Sequence, residues 1–246
     1  MPPDAASSTS ALRSLLGGGG RYRNLVRALM VGLRAREVGV LAHEFRRRLF
    51  SERLHFGLMR DLEVPFDPPQ AKIPIEIRPL RRDDLPKLLD LDAEAMSDRG
   101  PYVRMHRLNF ANRGIGTCYV GATDDDEPCY MQWLIPAAQN AEVKDYFHGI
   151  FPWLDADEAL LEYAFTPESY QRMGIMAAAM AQIAERASDF GARRVITFVD
   201  AENVAALKGC RKAGFAPHLV RRDRWRLFVR RVTFEPLEPE LVGVPE

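Results

Sequence analysis

The sequence predicts an α+β domain: a mixed, mostly antiparallel sheet flanked by helices, with a helical extension at its N-terminus. Three observations carry this. GTCYVGAT and PCYMQWLI are apolar, strand-like runs separated by the turn-rich TDDDEP. After them, the strand patterns ALLEYAFTP, ARRVITFVD and RWRLFVRRVTF alternate with the helix-forming AAAMAQIAERA and NVAALKGCRKAG. Strands that run first as a hairpin and then alternate with helices belong to α+β folds. Upstream, the proline-rich VPFDPPQAKIP separates this region from an arginine-rich stretch with helical spacing.

Taken in order, residues 1–20 end in four glycines and read as a disordered tail, with a transit peptide as the alternative. From Arg21 to about Leu54, apolar residues recur at Leu25, Leu29 and Leu33 and then at Leu41, Phe45 and Leu49, which predicts helix. A solvated basic face, or a surface for anionic lipid or nucleic acid, both fit that stretch. The expected boundaries are therefore a tail over 1–20, the extension and linker over 21–70, the main domain over 71–236 and a C-terminal tail over 237–246. Within the domain, IEIRPL alternates as a strand and RRDDLPKLLDLDAEAM starts a helix at Asp83 or Asp84. PYVRMHRLNFANRG predicts a second helix ending at Gly114. The connection after PCYMQWLI runs about twenty residues, far beyond a hairpin loop of roughly two to five, and reads as a functional loop.

Composition excludes several classes. Lys+Arg and Asp+Glu both number 34, so the net charge is zero and no nucleic-acid partner is expected. The three cysteines, Cys118, Cys129 and Cys210, are odd in number and have no metal-ligand spacing. They suit a reducing compartment, and a cytoplasmic location is expected. No metal site is expected from the scattered histidines. No apolar run is long enough to span a bilayer, and no secretory signal pattern stands at the start.

The stretch YQRMGIM joins a strand to a helix through Gly174. A helix start leaves four N–H groups without partners and carries positive partial charge, so the junction predicts a phosphate site. FTPESYQRMGIMAAAMAQIAERA resembles the acetyl-coenzyme A motif of the GCN5-related N-acetyltransferases, with Gln171 opening the motif and Gly174 as its central glycine. About thirty residues on, NVAALKGCRKAGF is similar to that family's second motif at Asn203, Ala206, Gly214 and Phe215. The resemblance covers roughly residues 75 to 235. This sequence departs from the family at Met176, where Gly or Ala is usual, by one extra residue between Pro167 and Gly174, and at Cys210, where the family usually has Tyr.

The resemblance implies a fold, a donor and a set of residues. The pyrophosphate of coenzyme A is expected over Gln171, Arg172, Met173, Gly174, Ile175 and Met176. The pantetheine arm is expected beside the strand at Ala164, Phe165 and Thr166, with a backbone N–H near Ala164 or Phe165 facing the developing oxyanion. Asn203 and Lys212 are further candidates for the cofactor site, with Arg211 beside Lys212. Acetyl-CoA is the expected acyl donor, without a metal, and a primary amine of a small molecule the expected acceptor. Glu162, a lone carboxylate inside an apolar strand, is the first candidate for general base. Asp200, otherwise a helix cap, and His148 follow it. Cys210 is a candidate proton donor to the leaving thiolate, an acyl acceptor in a two-step route, or a silent wall of the channel. Tyr146, Phe147, Phe151 and Trp153 are expected to frame the acceptor or to pack within their loop. A non-catalytic acyl-CoA-binding module, and an acyltransferase using longer or carrier-bound donors at a membrane surface, are the alternatives. A homodimer and peripheral membrane contact stay open.

Overall fold

The computed structural model describes residues 45–89 and 107–237. Expected features on residues 1–44, 90–106 and 238–246, including most of the helical extension, lie outside the described residues. The chain divides into two compact units, one of 53–223 and 232–246 and a smaller one of 1–52 and 224–231.

The described elements are β1 (Phe50–Asp61), β2 (Glu76–Pro79), α1 (Asp84–Leu89), β3 (Thr117–Ala122), β4 (Pro128–Pro136), α2 (Asn140–Phe147), β5 (Glu158–Phe165), α3 (Ile175–Glu185), β6 (Arg194–Asp200), α4 (Val204–Lys212), β7 (Ala216–Arg226) and β8 (Val229–Pro236). Residues 45–49 and 107–111 are also helical. The eight strands form one sheet in the order β2-β3-β4-β5-β6-β1-β7-β8. The pairs β2–β3, β3–β4, β4–β5 and β1–β6 are antiparallel, and β5–β6 is parallel. The expected mixed, mostly antiparallel sheet flanked by helices is therefore observed.

Two sequence expectations are corrected. Helix does not continue to Leu54: residues 50–61 are a strand that lies between β6 and β7, before the proline-rich stretch. A strand covered on both faces loses the clean alternation that reveals a half-exposed one. Leu58 packs on one side of the sheet and Met59 on the other, so the run gives no single apolar face. The long connection after β4 is also not an open loop. It holds a 3₁₀ turn at Ala137–Gln139 and then α2, whose Asn140 side chain exchanges two 2.9 Å hydrogen bonds with the backbone of Leu154.

The sheet has a core on each face. On one face α3 and α4 pack against Leu58, Ala159, Leu161, Val195 and Val199. The α3 sequence IMAAAMAQIAE is rich in alanine, which favours helix and lets the backbone approach the sheet closely. On the other face α1 and α2 cover Trp133, Leu160, Ile196 and Phe198. Charge anchors the flanks. Buried Arg60 on β1 donates to the Ala181 carbonyl at 2.8 Å, pairs with Glu185 and lies over the Phe66 ring. Arg78 grips Asp84 through two bonds of 2.7 and 2.9 Å, and Asp84 also accepts from the Arg81 N–H. Burial alone would raise the Asp84 carboxyl, but those Arg78 bonds prevail and hold it below the usual range.

Candidate functional site

β5 and β6 pair in parallel at only three positions, Glu158–Arg194, Ala159–Val195 and Leu160–Ile196. Both strands continue beyond Leu160 and Ile196, but the ladder between them does not. At the opening the Glu162 carboxylate takes the place of the missing strand partner: its Oε1 accepts from the Phe198 N–H at 2.8 Å. The opening is a cleft of about 240 Å³. Glu162, Tyr163 and Ala164 line its β5 wall, Thr197 to Asp200 its β6 wall, and Met176, Met180, Asn203, Ala206 and Cys210 its helical floor.

The β5 wall is locally distorted. Met131 on β4 faces Phe165 while Trp133 faces Glu162, so β5 spends one residue more than β4 over this interval. That is a β-bulge, which re-aims backbone groups. Tyr163 sits in it with φ 61°, an uncommon conformation for an aromatic residue. Arg107 braces the bulge, donating to the Ala164 carbonyl at 3.1 Å with its guanidinium 4.7 Å from the centre of the Phe165 ring. The rings of Phe110 and Phe147 lie 4.9 and 5.6 Å from that of Tyr163.

Electrostatics separate two cleft groups. Burial pushes the Glu162 carboxyl from its ordinary 4.5 up to about 7, against the opposing Phe198 N–H and the Arg221 charge. Burial also pushes the Cys210 thiol up to about 12, aided by the nearby Glu162 charge. Cys210 is therefore protonated throughout the neutral range. His55, facing Asp200 across the β1–β6 ladder, is held down to about 4 by burial and by the Arg221 charge, so it is neutral at pH 7.

The glycine turn has the expected form and an unexpected neighbour. Gly174 caps α3 with φ 78° and ψ 1°, a conformation that favours glycine. The first helical bond runs from the Ala178 N–H to the Gly174 carbonyl, so the N–H groups of Gly174, Ile175, Met176 and Ala177 precede it. Arg172 is exposed and also has positive φ, 62°. The proline-rich segment runs against this turn: the Lys72 N–H donates to the Met173 carbonyl at 2.8 Å. A Cβ on Gly174 would lie 3.6 Å from the Ala71 Cα and the Gln70 carbonyl oxygen.

Met176, the departure from Gly or Ala, is accommodated by a glycine on the neighbouring helix. A Cβ on Gly209 would stand 3.1 Å from the Met176 sulfur and 3.3 Å from its terminal methyl. The long side chain thus occupies the space that Gly209 leaves between α3 and α4.

Of the residues expected to act, Glu162, Ala164, Met176, Asp200, Asn203 and Cys210 line the cleft. Phe165 and Thr166 follow at the end of β5, and Gln171 reaches back to the Thr166 carbonyl at 3.4 Å. Asn203, not Asp200, caps α4, its Oδ1 accepting from the Ala206 N–H at 3.1 Å. Asp200 shapes the preceding turn, accepting from the Glu202 N–H at 3.0 Å. Lys212 and Arg211 lie in the last turn of α4, with Lys212 about 13 Å along the axis from Asn203. His148 is exposed at the end of α2 with φ 54°. Tyr146, Phe147 and Phe151 join the aromatic core, and Trp153 is exposed. Sequence reading missed Gln132, a cleft residue whose Oε1 accepts from the Tyr130 hydroxyl at 2.6 Å. Its signal was a lone amide within the apolar CYMQWLI. Among the described residues no cluster of His, Cys, Asp and Glu is arranged to hold a metal.

No curated protein matches the chain. Among solved structures it is similar to an acetyltransferase from the GNAT family of Colwellia psychrerythraea, at 14% identity and a TM-score of 0.45, over 82% of this chain and 62% of that one. It thus spans less than two thirds of the Colwellia chain. It is also similar to a GCN5-related N-acetyltransferase of Sphaerobacter thermophilus, at 14% identity and a TM-score of 0.43, over 84% of this chain and 70% of that one. A third similar structure is an aminoglycoside antibiotic 6'-N-acetyltransferase of Acinetobacter baumannii, at 16% identity and a TM-score of 0.41, over 58% of this chain and 91% of that one. The family model for the acetyltransferase (GNAT) domain matches residues 75–216, more than half the chain. The chain belongs to the GNAT acetyltransferase family.

Proposed function

We propose that the protein is an acetyl-CoA-dependent N-acetyltransferase acting on a primary amine of a small molecule by direct attack. The observation that carries this reading is the unpaired interval between β5 and β6, with the Glu162 carboxylate in its mouth and the start of α3 beside it. Unpaired strand edges suit the amides of a pantetheine arm, which binds as an added strand would. The N–H groups from Gly174 to Ala177 suit the pyrophosphate, and the Lys72–Met173 bond supports the turn that presents them.

In this reading the amine nitrogen bonds to the acetyl carbonyl carbon, the carbon–sulfur bond breaks, and the coenzyme departs as thiolate. A backbone N–H at the bulge, from Ala164 or Phe165, faces the oxygen as its charge develops. Glu162 takes the proton from the amine, directly or through a water, and a pKa of about 7 suits a base at neutral pH. Cys210 forms a wall of the cleft. Protonating an ordinary thiolate of pKa about 8.5 from a thiol near 12 is uphill, which argues against it as proton donor.

The test is release of free coenzyme A thiol from acetyl-CoA over a panel of primary amines. Amine-dependent release by wild type, lost in Glu162→Gln, is the expected result. Acetyl-CoA binding without release for any amine would favour a non-catalytic binding module.

A further inference from the structure

The described part of the smaller unit, residues 45–52 and 224–231, concentrates features the acyl-transfer site does not use. β7 ends at Arg226 and β8 begins at Val229, so Leu227 and Phe228 alone make the turn. Both have positive φ, 48° and 65°. A two-residue hairpin turn of this kind favours Asn-Gly, because large side chains are strained there. The backbone of the turn is tied down, since the Leu227 and Phe228 N–H groups donate to the Leu49 and Arg48 carbonyls, each at 2.9 Å. Any residue other than proline supplies an N–H, so these bonds do not explain two large apolar side chains.

Phe228 packs edge-on against the Phe45 ring at 5.0 Å, whereas the Leu227 side chain faces water. Leu227 is 77% exposed, Phe50 71% and Val229 60%. Among the described residues of this unit, arginines stand at 46, 47, 48, 224, 226, 230 and 231, against one acidic residue, Glu52, which pairs with Arg224 and Arg226. The whole chain has zero net charge, so this is a local concentration of positive charge. The Arg226 guanidinium lies 3.8 Å from the centre of the Phe50 ring, and those of Arg47, Arg48 and Arg230 lie 5.2–5.8 Å from that of Trp225. Aromatic bodies flanked by arginine stems and capped by charge suit a boundary between headgroups and acyl chains.

We propose that this unit docks on an anionic lipid surface. Leu227, Val229 and Phe50 enter the headgroup region, and the arginines meet lipid phosphate and carboxylate groups. Electrostatics selects anionic lipid over neutral lipid, at roughly fivefold in affinity per arginine near the surface. Nucleic acid fits less well, because its phosphates would engage the arginines and leave Leu227 and Val229 in water. Attachment is peripheral: among the described residues no helix is long and apolar enough to cross a membrane.

The test uses the full chain in vesicle co-sedimentation, comparing phosphatidylcholine alone with phosphatidylcholine containing about 30% phosphatidylserine. Leu227→Asn with Phe228→Gly gives the turn the residues its φ values favour and removes the apolar tip together with the Phe228–Phe45 ring contact. Arg46→Glu with Arg231→Glu reverses two exposed charges. Thermal unfolding and acetyl-CoA binding check that both variants are folded. Wild type is expected to bind the anionic vesicles selectively, and each double variant to bind at least about tenfold more weakly. Three results would overturn the proposal: equal binding to both vesicle types, undiminished binding by the Asn-Gly variant, or displacement from vesicles by duplex DNA whose own binding ignores the Asn-Gly change.

Discussion

The Glu162 Oε1 lies 2.8 Å from the Phe198 backbone nitrogen, where the parallel pairing of β5 and β6 has ended. One carboxylate therefore satisfies a ladder donor and places a titratable group at the mouth of the cleft. Burial raises its pKa to about 7, so the ionised base accumulates as pH rises through that value. Amine acetylation should rise with pH through about 7, and Glu162→Gln should lose that limb along with about a hundredfold or more in kcat/KM. The stability effect has the opposite sign. A carboxyl whose folded pKa is raised holds its proton longer in the native state, so its ionisation destabilises the fold as pH climbs from 4.5 to about 7. Thermal unfolding of Glu162→Gln should therefore improve relative to wild type across that window. A flat difference between the two proteins from pH 4 to pH 8 would show that the buried charge is compensated in some other way.

Cys210 has a thiol near 12 and should be dispensable for chemistry. Cys210→Ala should keep kcat/KM within about threefold of wild type, while losing about 1 kcal/mol of stability for the small void in a buried site. Loss of activity on the scale of Glu162→Gln would return the thiol to the mechanism.

Met176 and Gly209 should act as a pair. A methyl on Gly209 would stand 3.1 Å from the Met176 sulfur and push that side chain toward the cleft it lines. Gly209→Ala should weaken acetyl-CoA binding roughly fivefold, and adding Met176→Ala should restore it. Calorimetry on the four proteins of this double-mutant cycle gives the coupling. Additive effects would mean that the two side chains do not share the space.

Much of the fold was legible because its signals are local. Two strands around TDDDEP, and a glycine turn opening the alanine-rich α3, announce themselves in consecutive residues. β1 did not, because Leu58 and Met59 pack on opposite faces of the sheet and Arg60 is buried beside them, so its run lacks a two-residue period. Glu162 stood out as a lone charge in an apolar strand. Gln132 offered a similar, weaker signal, since a neutral amide is less costly to bury. The match of Met176 with Gly209 and the Lys72–Met173 bond join segments distant in sequence. Met176 stood out alone as a departure from the family motif, but nothing local marks Gly209 as its match, or Lys72 and Met173 as a pair.

The central claim is that the turn at Gly174 and the cleft beside it hold acetyl-CoA, and titration calorimetry tests it most directly. Wild type would be compared with Gly174→Glu, which sets a carboxylate at the start of α3, and with Gly174→Asn, an uncharged residue that tolerates positive φ. Thermal unfolding would confirm that each is folded. Wild type and Gly174→Asn should bind acetyl-CoA, with Asn somewhat weaker, and folded Gly174→Glu should lose about a hundredfold or more in affinity. Equal binding by a folded Gly174→Glu, or no binding by wild type, would contradict the claim.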